Sequence, residues 1–164
     1  QVSNLFTRLS VFENIRCAVL WSTGARYAFW RFLADLTDAN ERAEEVMQMI
    51  KLDKKRDVLA MNLTYAEQRA LEIGITIAGG ADVILLDEPT AGMSHAETER
   101  AVALIKRLTV GKTLLIVEHD MSVVFGLADR ISVLVYGNII ASGTPEDIRN
   151  SPKVKEAYLG EEAA

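Results

Sequence analysis

The sequence predicts an α/β fold in which a helical part, residues 1–80, precedes a smaller α/β part, residues 81–164. Up to Gly79-Gly80 apolar residues recur mostly at helical spacing, whereas beyond this pair they stand in short continuous runs. Such runs are typical of strands buried on both faces of a parallel sheet. Two of the runs flank an amphipathic segment, which is the order of a βαβ unit. We therefore expect the seam between the two parts near Gly79-Gly80.

Three local patterns predict the helices of the first part. Ser10-Val11-Phe12-Glu13 and Thr64-Tyr65-Ala66-Glu67 have the residue types of a capping box, in which a hydroxyl and a carboxylate bind free amides at a helix start. The second box opens a helix to about Ala78, and residues 39–50 carry the apolar stripe of another amphipathic helix. The predicted core positions are Ala43, Val46, Met47, Ile50, Ala70, Ile73, Ile77 and Ala78.

Three apolar runs predict the strands of the second part: Val83–Leu86, Thr113–Val117 and Ile131–Val135. Between the first two lies a helix capped by Ser94 and Glu97. The connection between these two parallel strands is then a single crossover helix, as in other βαβ units.

The end of the chain carries turn and cap signals. Ile131–Val135 and Asn138–Ala141 flank Tyr136-Gly137, which indicates a hairpin. Thr144-Pro145 and Ser151-Pro152 each place a capping residue before a proline at the first helical position, so two short helices are expected to close the chain.

Composition narrows the class of protein. Of 164 residues, 49% are hydrophobic and 25% charged, which is the range of globular domains. The net charge of -5 argues against a dedicated nucleic-acid-binding protein, which usually shows a basic face. The only cysteine, Cys17, has apolar neighbours and is predicted to be a small buried residue. No apolar run approaches the roughly 18 residues of a membrane span.

Two adjacent carboxylates, Asp87 and Glu88, follow the first apolar run. The carboxyl ends of parallel strands are where α/β folds place ligands. One carboxylate can face a Mg²⁺ bound to nucleotide phosphates, and the other can orient or deprotonate a water for in-line attack. Taken alone, the pair is also compatible with a solvated acidic turn after a strand.

The second apolar run ends in Glu118-His119-Asp120. If the βαβ unit forms, this cluster lies at the same sheet edge as Asp87 and Glu88. A histidine there can bind a terminal phosphate or hold a carboxylate and water in place. Alone, a histidine after a strand is more often a surface or capping residue, and the neighbouring carboxylates favour the functional interpretation.

The helix start at Leu63–Glu67 offers free amides and a positive dipole end, which suit a phosphate. By local physics alone, an ordinary capped helix is the favoured interpretation.

Together these segments resemble the nucleotide-binding subunit of ABC transporters. Val83–Glu88 is similar to the Walker B strand, His119 to the switch histidine and Ala91-Gly92-Met93-Ser94 to the D-loop. Leu63–Glu67 occupies the signature position, and Gln1 that of the Q-loop glutamine. The resemblance covers essentially the whole chain. It implies the C-terminal part of a RecA-like P-loop NTPase core behind a helical subdomain.

The resemblance also implies roles for these residues. By this resemblance, Glu88 and His119 are the expected catalytic residues, and Asp87 and Gln1 are expected to hold Mg²⁺. ATP contacts are expected from Gln1, from Ser94 and from the signature residues. The signature residues are Leu63, Thr64, Tyr65, Ala66 and Glu67.

Softer features bring the chain nearest to ATPases of branched-chain amino acid importers and their urea or amide relatives. These are Asn62-Leu63-Thr64-Tyr65, Ala91-Gly92-Met93-Ser94 and the ending Ala157–Glu162. The implied protein hydrolyses ATP to power solute import. Its implied partners are a second ATPase subunit and membrane permease subunits, and its implied place is the cytoplasmic face of the plasma membrane, as a peripheral protein.

Two departures from the family pattern stand out. The sequence has no phosphate-binding loop G-x-x-x-x-G-K-[ST], since Gly111-Lys112-Thr113 lacks the earlier glycine and precedes a strand instead of following one. We expect a helix-to-strand turn there, a fragment truncated at the Q-loop, and no ATPase activity of the chain by itself. In the signature, Tyr65-Ala66 replaces the usual pair of glycines, and the alanine methyl can crowd an approaching phosphate.

An aromatic-rich stretch in the helical part is expected to be mostly core: Trp21, Tyr27, Phe29, Trp30, Phe32 and Leu33. The functional alternative is a surface that docks a permease. Two other functions stay open at this point: a non-catalytic docking module without an ATP site, and an ABC ATPase of DNA maintenance. The acidic charge and the lack of a long coiled-coil insertion disfavour the latter.

Overall fold

The computed structural model describes residues 5–22 and 37–161, and within these ranges the predicted α/β fold is confirmed. The chain divides into two compact units, Gln1–Val117 and Glu118–Ala164. Near residue 80, inside the first unit, the last helix of the helical part ends and the first strand follows. A domain boundary at this position stays a prediction. Of the helices that are described, none has the length and apolar character needed to cross a membrane.

The described part of the first unit consists of helices followed by a βαβ unit. Its elements are α1 (Val11–Ser22), α2 (Thr37–Met49), α3 (Tyr65–Ala78), β1 (Val83–Asp87), α4 (His95–Leu108) and β2 (Thr113–Val117), with 3₁₀ turns at Asp53–Lys55 and Ala60–Asn62.

Helices α1, α2 and α3 pack on one another and form the core of the first unit. All eight core positions predicted for the helical part are buried. Ile15 and Leu71, which the pattern did not single out, are fully buried as well. At Gly74 a Cβ atom would lie 2.9 Å from Cδ1 of Ile50, so the glycine permits the close approach of α3 to the end of α2.

The predicted caps form, with one difference. The Thr64 hydroxyl accepts from the Glu67 amide while the Glu67 carboxylate accepts from the Thr64 amide, so this capping box is complete. At α4 the Glu97 carboxylate accepts from the amide of Ser94 (2.9 Å). At α1 the Ser10 hydroxyl accepts from the amide of Glu13 (3.2 Å), but the carboxylate of Glu13 binds Arg16 instead, at 2.6 Å.

Cys17 is exposed, so the prediction of a buried cysteine was wrong. The buried face of α1 carries Phe12, Ile15 and Val19. Cys17 is two residues from the last two of these, and a two-residue step on an α-helix turns a side chain away from that face. Apolar neighbours in sequence therefore do not place it in the core.

Strands β1 and β2 pair in parallel, and α4 connects them, which confirms the predicted βαβ unit. The expectation of strands buried on both faces was wrong for the residues described. Ile84 is fully buried, but Val83, Leu85, Leu115 and Val117 are 55%, 69%, 57% and 59% exposed. Side chains alternate between the faces of a strand, so β1 buries one face here and leaves the other apolar and exposed.

The second unit contains a hairpin and three helices in its described part: α5 (Met121–Leu127), β3 (Ile131–Val135), β4 (Asn138–Gly143), α6 (Pro145–Asn150) and α7 (Pro152–Glu161). The predicted hairpin is confirmed as an antiparallel pair. Tyr136 and Gly137 both have positive φ, 46° and 78°, as a two-residue type I′ turn requires. Ile131, Ile148 and Val154 form the buried core of this unit.

Candidate functional site

The two adjacent carboxylates lie where β1 ends. Asp87 is the last residue of β1 and pairs in register with Val117, the last residue of β2. The next amide, that of Glu88, donates to the carbonyl oxygen of Val117 at 2.9 Å. Both carboxylates therefore leave the sheet of the first unit at its carboxyl edge, where parallel sheets bind ligands.

Glu88 has an unusual backbone conformation. Its φ is 43°, in the left-handed region that costs a residue with a Cβ roughly 1 kcal/mol or more. Glycine would adopt this φ without strain, yet the position carries glutamate. The side chain is partly exposed, so packing in the core does not account for the glutamate. Strained residues that persist are concentrated at functional sites, and this one lies directly after the strand end.

A cavity of about 580 Å³ lies beside Asp87 within the first unit. It is bounded by the α3 side chains Arg69, Glu72 and Thr76 and by Leu85, Asp87 and Pro89 from β1 and the turn that follows it. Arg69 and Glu72 form an ion pair at 2.8 Å. The carboxylate thus has open space next to it, with charged groups on the facing helix.

No group of three or more His, Cys, Asp or Glu side chains within the described ranges is arranged to hold a metal ion. Mg²⁺ bound together with nucleotide phosphates needs only one or two protein carboxylates, because phosphates and waters complete the octahedron. Asp87, a hard oxygen ligand beside an open cavity, fits that requirement. Its assignment to Mg²⁺ stays a prediction.

The signature residues are the cap and first turn of α3. Leu63 is buried and anchors the turn, whereas Thr64 and Tyr65 are exposed at the helix end. Partial burial acts to raise the pKa of Glu67, but hydrogen bonds from Lys55 and Thr64 outweigh it and hold that pKa below its usual value. The helix start is therefore fixed from outside by Lys55 as well as by its own capping box.

Residues 91–94 form a tight turn between β1 and α4. The Ala91 amide donates to the Glu88 carbonyl at 3.2 Å, and Gly92 takes a φ of 74°. Ser94 caps α4. The turn ties the predicted ATP ligand Ser94 to the strand end that carries Glu88.

His119 belongs to the second unit and follows the last residue of β2 by two positions. It is exposed, and its amide donates to the Glu118 carboxylate at 3.1 Å. Asp120, from the same polar cluster, caps α5 by accepting from the Ser122 amide at 2.8 Å. The grouping of His119 with Asp87 and Glu88 at one site stays a prediction.

Some predicted residues lie outside the described ranges. Gln1 is one, and so are five of the aromatic stretch: Tyr27, Phe29, Trp30, Phe32 and Leu33. Trp21, the remaining member, lies near the end of α1 and is 65% exposed. It was expected in the core, and its exposure instead favours the docking alternative.

Gly111-Lys112-Thr113 is a turn from α4 to β2, as predicted. Gly111 has a φ of 74°, and the ammonium of Lys112 donates to the carbonyl oxygen of Ala81 at 2.5 Å. The lysine thus connects the starts of the two strands, at the edge of the sheet opposite to Asp87. A phosphate-binding lysine would instead lie at the edge where Asp87 lies.

Sequence reasoning missed Asn14. Its side chain is 1% exposed and binds the segment before α1. Its Oδ1 accepts from the Phe6 amide at 3.0 Å, and its Nδ2 lies 3.1, 3.3 and 2.9 Å from the carbonyl oxygens of Phe6, Leu9 and Ser10. A polar residue inside an apolar helix face was the available signal, since such a residue needs partners when buried.

We expect Asn14→Asp to destabilise the chain by about 2–4 kcal/mol at neutral pH although the two side chains have the same shape, because a carboxylate would face three carbonyl oxygens. Lowering the pH protonates it and restores a donor, so the deficit should shrink toward pH 4. Urea unfolding at the two pH values measures this. Gln48→Glu makes the same amide-to-carboxylate change at an exposed position of α2 and serves as the control, and an equal deficit for the two variants would contradict the network.

Comparisons with known proteins identify related sequences. The family described as "ABC transporter" matches residues 1–91, and the one described as "Branched-chain amino acid ATP-binding cassette transporter" matches residues 138–164. The chain is 38% identical to the high-affinity branched-chain amino acid transport ATP-binding protein LivG of Salmonella typhimurium, over 96% of this chain and 64% of LivG. The chain thus spans less than two thirds of that relative's length.

Solved structures share the fold. MJ1267, an ATP-binding cassette of an ABC transporter, superposes with a TM-score of 0.77 at 24% identity over 96% of this chain and 66% of that one. The cassette MJ0796, solved as a dimer in a post-hydrolysis state bound to ADP and Pi, gives a TM-score of 0.70 at 25% identity over 88% of this chain and 60% of that one.

Proposed function

Because the chain belongs to the ABC transporter family of ATP-binding proteins, we propose that it supplies the catalytic carboxylate and the signature helix of an ATP-hydrolysing transport subunit. The observation that carries this is Glu88, held at a positive φ of 43° immediately after Asp87 at the carboxyl edge of the sheet. Backbone strain that persists is concentrated at functional sites, and a carboxylate at the ligand-binding edge of a parallel sheet is placed where it can orient or deprotonate a water.

The proposed roles follow from the chemistry of the residues and from the family resemblance, and for Asp87 and Glu88 also from their place at the end of β1. Glu88 polarises the attacking water, and Asp87 holds Mg²⁺, which when bound offsets the negative charge of the phosphates. His119 and Gln1 contact the terminal phosphate. No covalent intermediate is needed, because rate enhancement in phosphoryl transfer comes mostly from positioning and charge stabilisation.

The signature helix serves a nucleotide held by a second subunit. In this proposal the first-turn amides of α3, at Tyr65 and Ala66, receive the phosphates of a nucleotide bound to the partner. The related cassette MJ0796 was solved as a dimer bound to ADP and Pi, which supports the pairing of two such subunits. Two copies of this subunit, or this subunit and a homologous one, then enclose two ATP molecules.

The solute is proposed to be a branched-chain amino acid. Two comparisons support this. The chain is 38% identical to LivG, a branched-chain amino acid transport protein, and residues 138–164 match a family of branched-chain amino acid transporters. The subunit would act at the cytoplasmic face of the plasma membrane, bound to permease subunits. Trp21, a large apolar side chain 65% exposed on α1, is our candidate for part of the permease contact.

A second function is favoured by one observation, the lack of G-x-x-x-x-G-K-[ST] in the sequence. Without that loop the chain alone would be a non-catalytic module that docks on a permease. We propose that the loop belongs to a part of the subunit outside this sequence. "Complete subunit" below means this chain preceded by the LivG residues upstream of the aligned region.

Leucine uptake tests the function. Loss of this subunit in its source organism should abolish high-affinity uptake of labelled leucine, isoleucine and valine at low substrate concentration, because the permease would lose its source of energy. Proline uptake is the control. Unchanged uptake of all three amino acids would contradict the proposed solute class.

Trp21→Ala in the complete subunit should reduce leucine uptake severalfold and leave ATP hydrolysis within about twofold, because a docking contact is not part of the chemistry. Tyr136→Asn is a matched control, since Tyr136 is also an exposed aromatic residue and asparagine tolerates its positive φ. Equal uptake by the two variants would remove Trp21 from the docking surface.

A further inference from the structure

The first turn of α3 contains a carboxylate at the place where a phosphate is proposed to bind. Glu67 is the third residue of this helix and closes the capping box. The box engages the amides of Thr64 and Glu67, and leaves those of Tyr65 and Ala66 in the first turn for a ligand. A bare carboxylate there would repel a triphosphate by simple Coulomb interaction.

A cation from a different element meets that carboxylate. The ammonium of Lys55 lies 2.7 Å from Oε1 and 2.8 Å from Oε2 of Glu67. Lys55 ends the 3₁₀ turn Asp53–Lys55, so it approaches α3 from outside the helix. The amide of Thr64 donates to the same carboxylate at 3.0 Å. The carboxylate is thus held in place by two donors and neutralised by one charge.

Fold stability alone gives little reason for this pair. The side chains of Lys55 and Glu67 are 41% and 27% exposed, and pairs as accessible as this contribute little to stability. Their effect on a bound polyanion is different in kind, because the net charge beside the phosphate changes by a full unit when Lys55 is removed.

We propose that Lys55 is a positioning residue of the nucleotide site: it fixes Glu67 as the cap of α3 and cancels its charge, so that the first-turn amides can receive the phosphates of a nucleotide bound by the partner subunit. This inference rests on the proposed function. It adds a residue from outside the signature to the machinery that joins two subunits around ATP.

The test uses Mg-ATP-dependent dimerisation of the complete subunit, measured by sedimentation in a Glu88→Gln background that prevents turnover. Lys55→Gln should raise the dimer dissociation constant about fivefold, the size expected for one exposed charge. Lys55→Arg and the charge-matched neighbour control Lys54→Gln should stay within about twofold. The Lys55→Gln effect should shrink at ~0.5 M salt, where screening is strong.

A Glu67→Gln background separates charge from structure, since glutamine still closes a capping box. Removal of both charges restores the net charge of the native pair, so the Lys55→Gln, Glu67→Gln double variant should return to within about twofold of the reference protein. A double variant as weak as Lys55→Gln alone, or a Lys55→Gln variant that matches the reference protein, overturns the role of Lys55. The reference protein is the complete subunit with Glu88→Gln alone. If this protein forms no ATP-dependent dimer, the proposed function is overturned, and not only the role of Lys55.

If the complete subunit does not fold, the 164-residue chain gives a second measurement. Titration with inorganic triphosphate should shift the Tyr65 and Ala66 amide resonances, and Lys55→Gln should weaken the apparent affinity relative to Lys54→Gln. Identical titrations of these two variants would overturn the inference without any dimer.

Discussion

Replacing Glu88 by glutamine is expected to lower the ATP turnover of the complete subunit by at least about 10²–10³-fold, as loss of a general base does, while Mg-ATP still binds. Glutamine keeps the shape of the side chain, but it cannot accept a proton from the attacking water. Steady-state phosphate release gives kcat, and calorimetry gives the dissociation constant of Mg-ATP.

Glu99→Gln is the matched control, because Glu99 is an exposed glutamate on α4 and its replacement changes the net charge equally. It should keep full activity. A Glu88→Gln protein that retains more than about one tenth of wild-type kcat would show that another group activates the water.

The backbone of Glu88 makes the same position informative about stability. Its φ of 43° is accessible to glycine without a Cβ penalty. Glu88→Gly should therefore leave the free energy of unfolding unchanged or raise it by up to about 1 kcal/mol, while abolishing turnover. A marked loss of stability in this variant would mean that Glu88 is retained for packing and not for chemistry.

The 164-residue chain by itself is expected not to hydrolyse ATP and to bind it only at millimolar concentration or weaker. In P-loop enzymes backbone amides cradle the phosphates and a lysine reaches the outer ones. Each charge-assisted phosphate hydrogen bond is worth roughly 1.5–3 kcal/mol. Losing several takes micromolar binding, about -8 kcal/mol, to the millimolar range. Asp87 and Glu88 repel the phosphates until Mg²⁺ bridges them.

Calorimetry with Mg-ATP decides this, with the complete subunit as the positive control. Lys112→Gln in the chain should change nothing, because the Lys112 ammonium binds the Ala81 carbonyl oxygen at 2.5 Å and is not available as a phosphate ligand. A micromolar dissociation constant for the chain, or turnover that disappears with Glu88→Gln in it, would mean that a phosphate site exists among these residues.

Local sequence rules were sufficient for the elements that present the site. The cap of α3 at Thr64 and Glu67 needs only residues three apart, so four residues determine it. The run Val83–Leu86 ends in Asp87, and strand β1 ends there too. The turn at Tyr136-Gly137 was likewise readable from two residues between two apolar runs. The resemblance to ABC ATPases rested on the first two of these segments, together with Gln1, Ala91-Gly92-Met93-Ser94 and His119.

Long-range contacts determined the rest. Lys55 and Glu67 are twelve residues apart, and no periodicity relates a 3₁₀ turn to the cap of a later helix. Asn14 is buried because the segment before α1 folds back onto it. An asparagine in a helix pattern gives no sign of which carbonyl groups will surround it. Both interactions depend on where separate elements meet.

The sequence by itself thus determined the candidate residues of the site: the carboxylates after β1, the histidine after β2 and the capped start of α3. It determined these because each is a local pattern of types and spacing. Only the tertiary structure decided that Glu88 takes a left-handed backbone, that Val83 and Leu85 face solvent, and that Lys55 meets Glu67. The physical reason is that strain, exposure and ion pairing are set by what packs against a residue, which its neighbours in sequence do not specify.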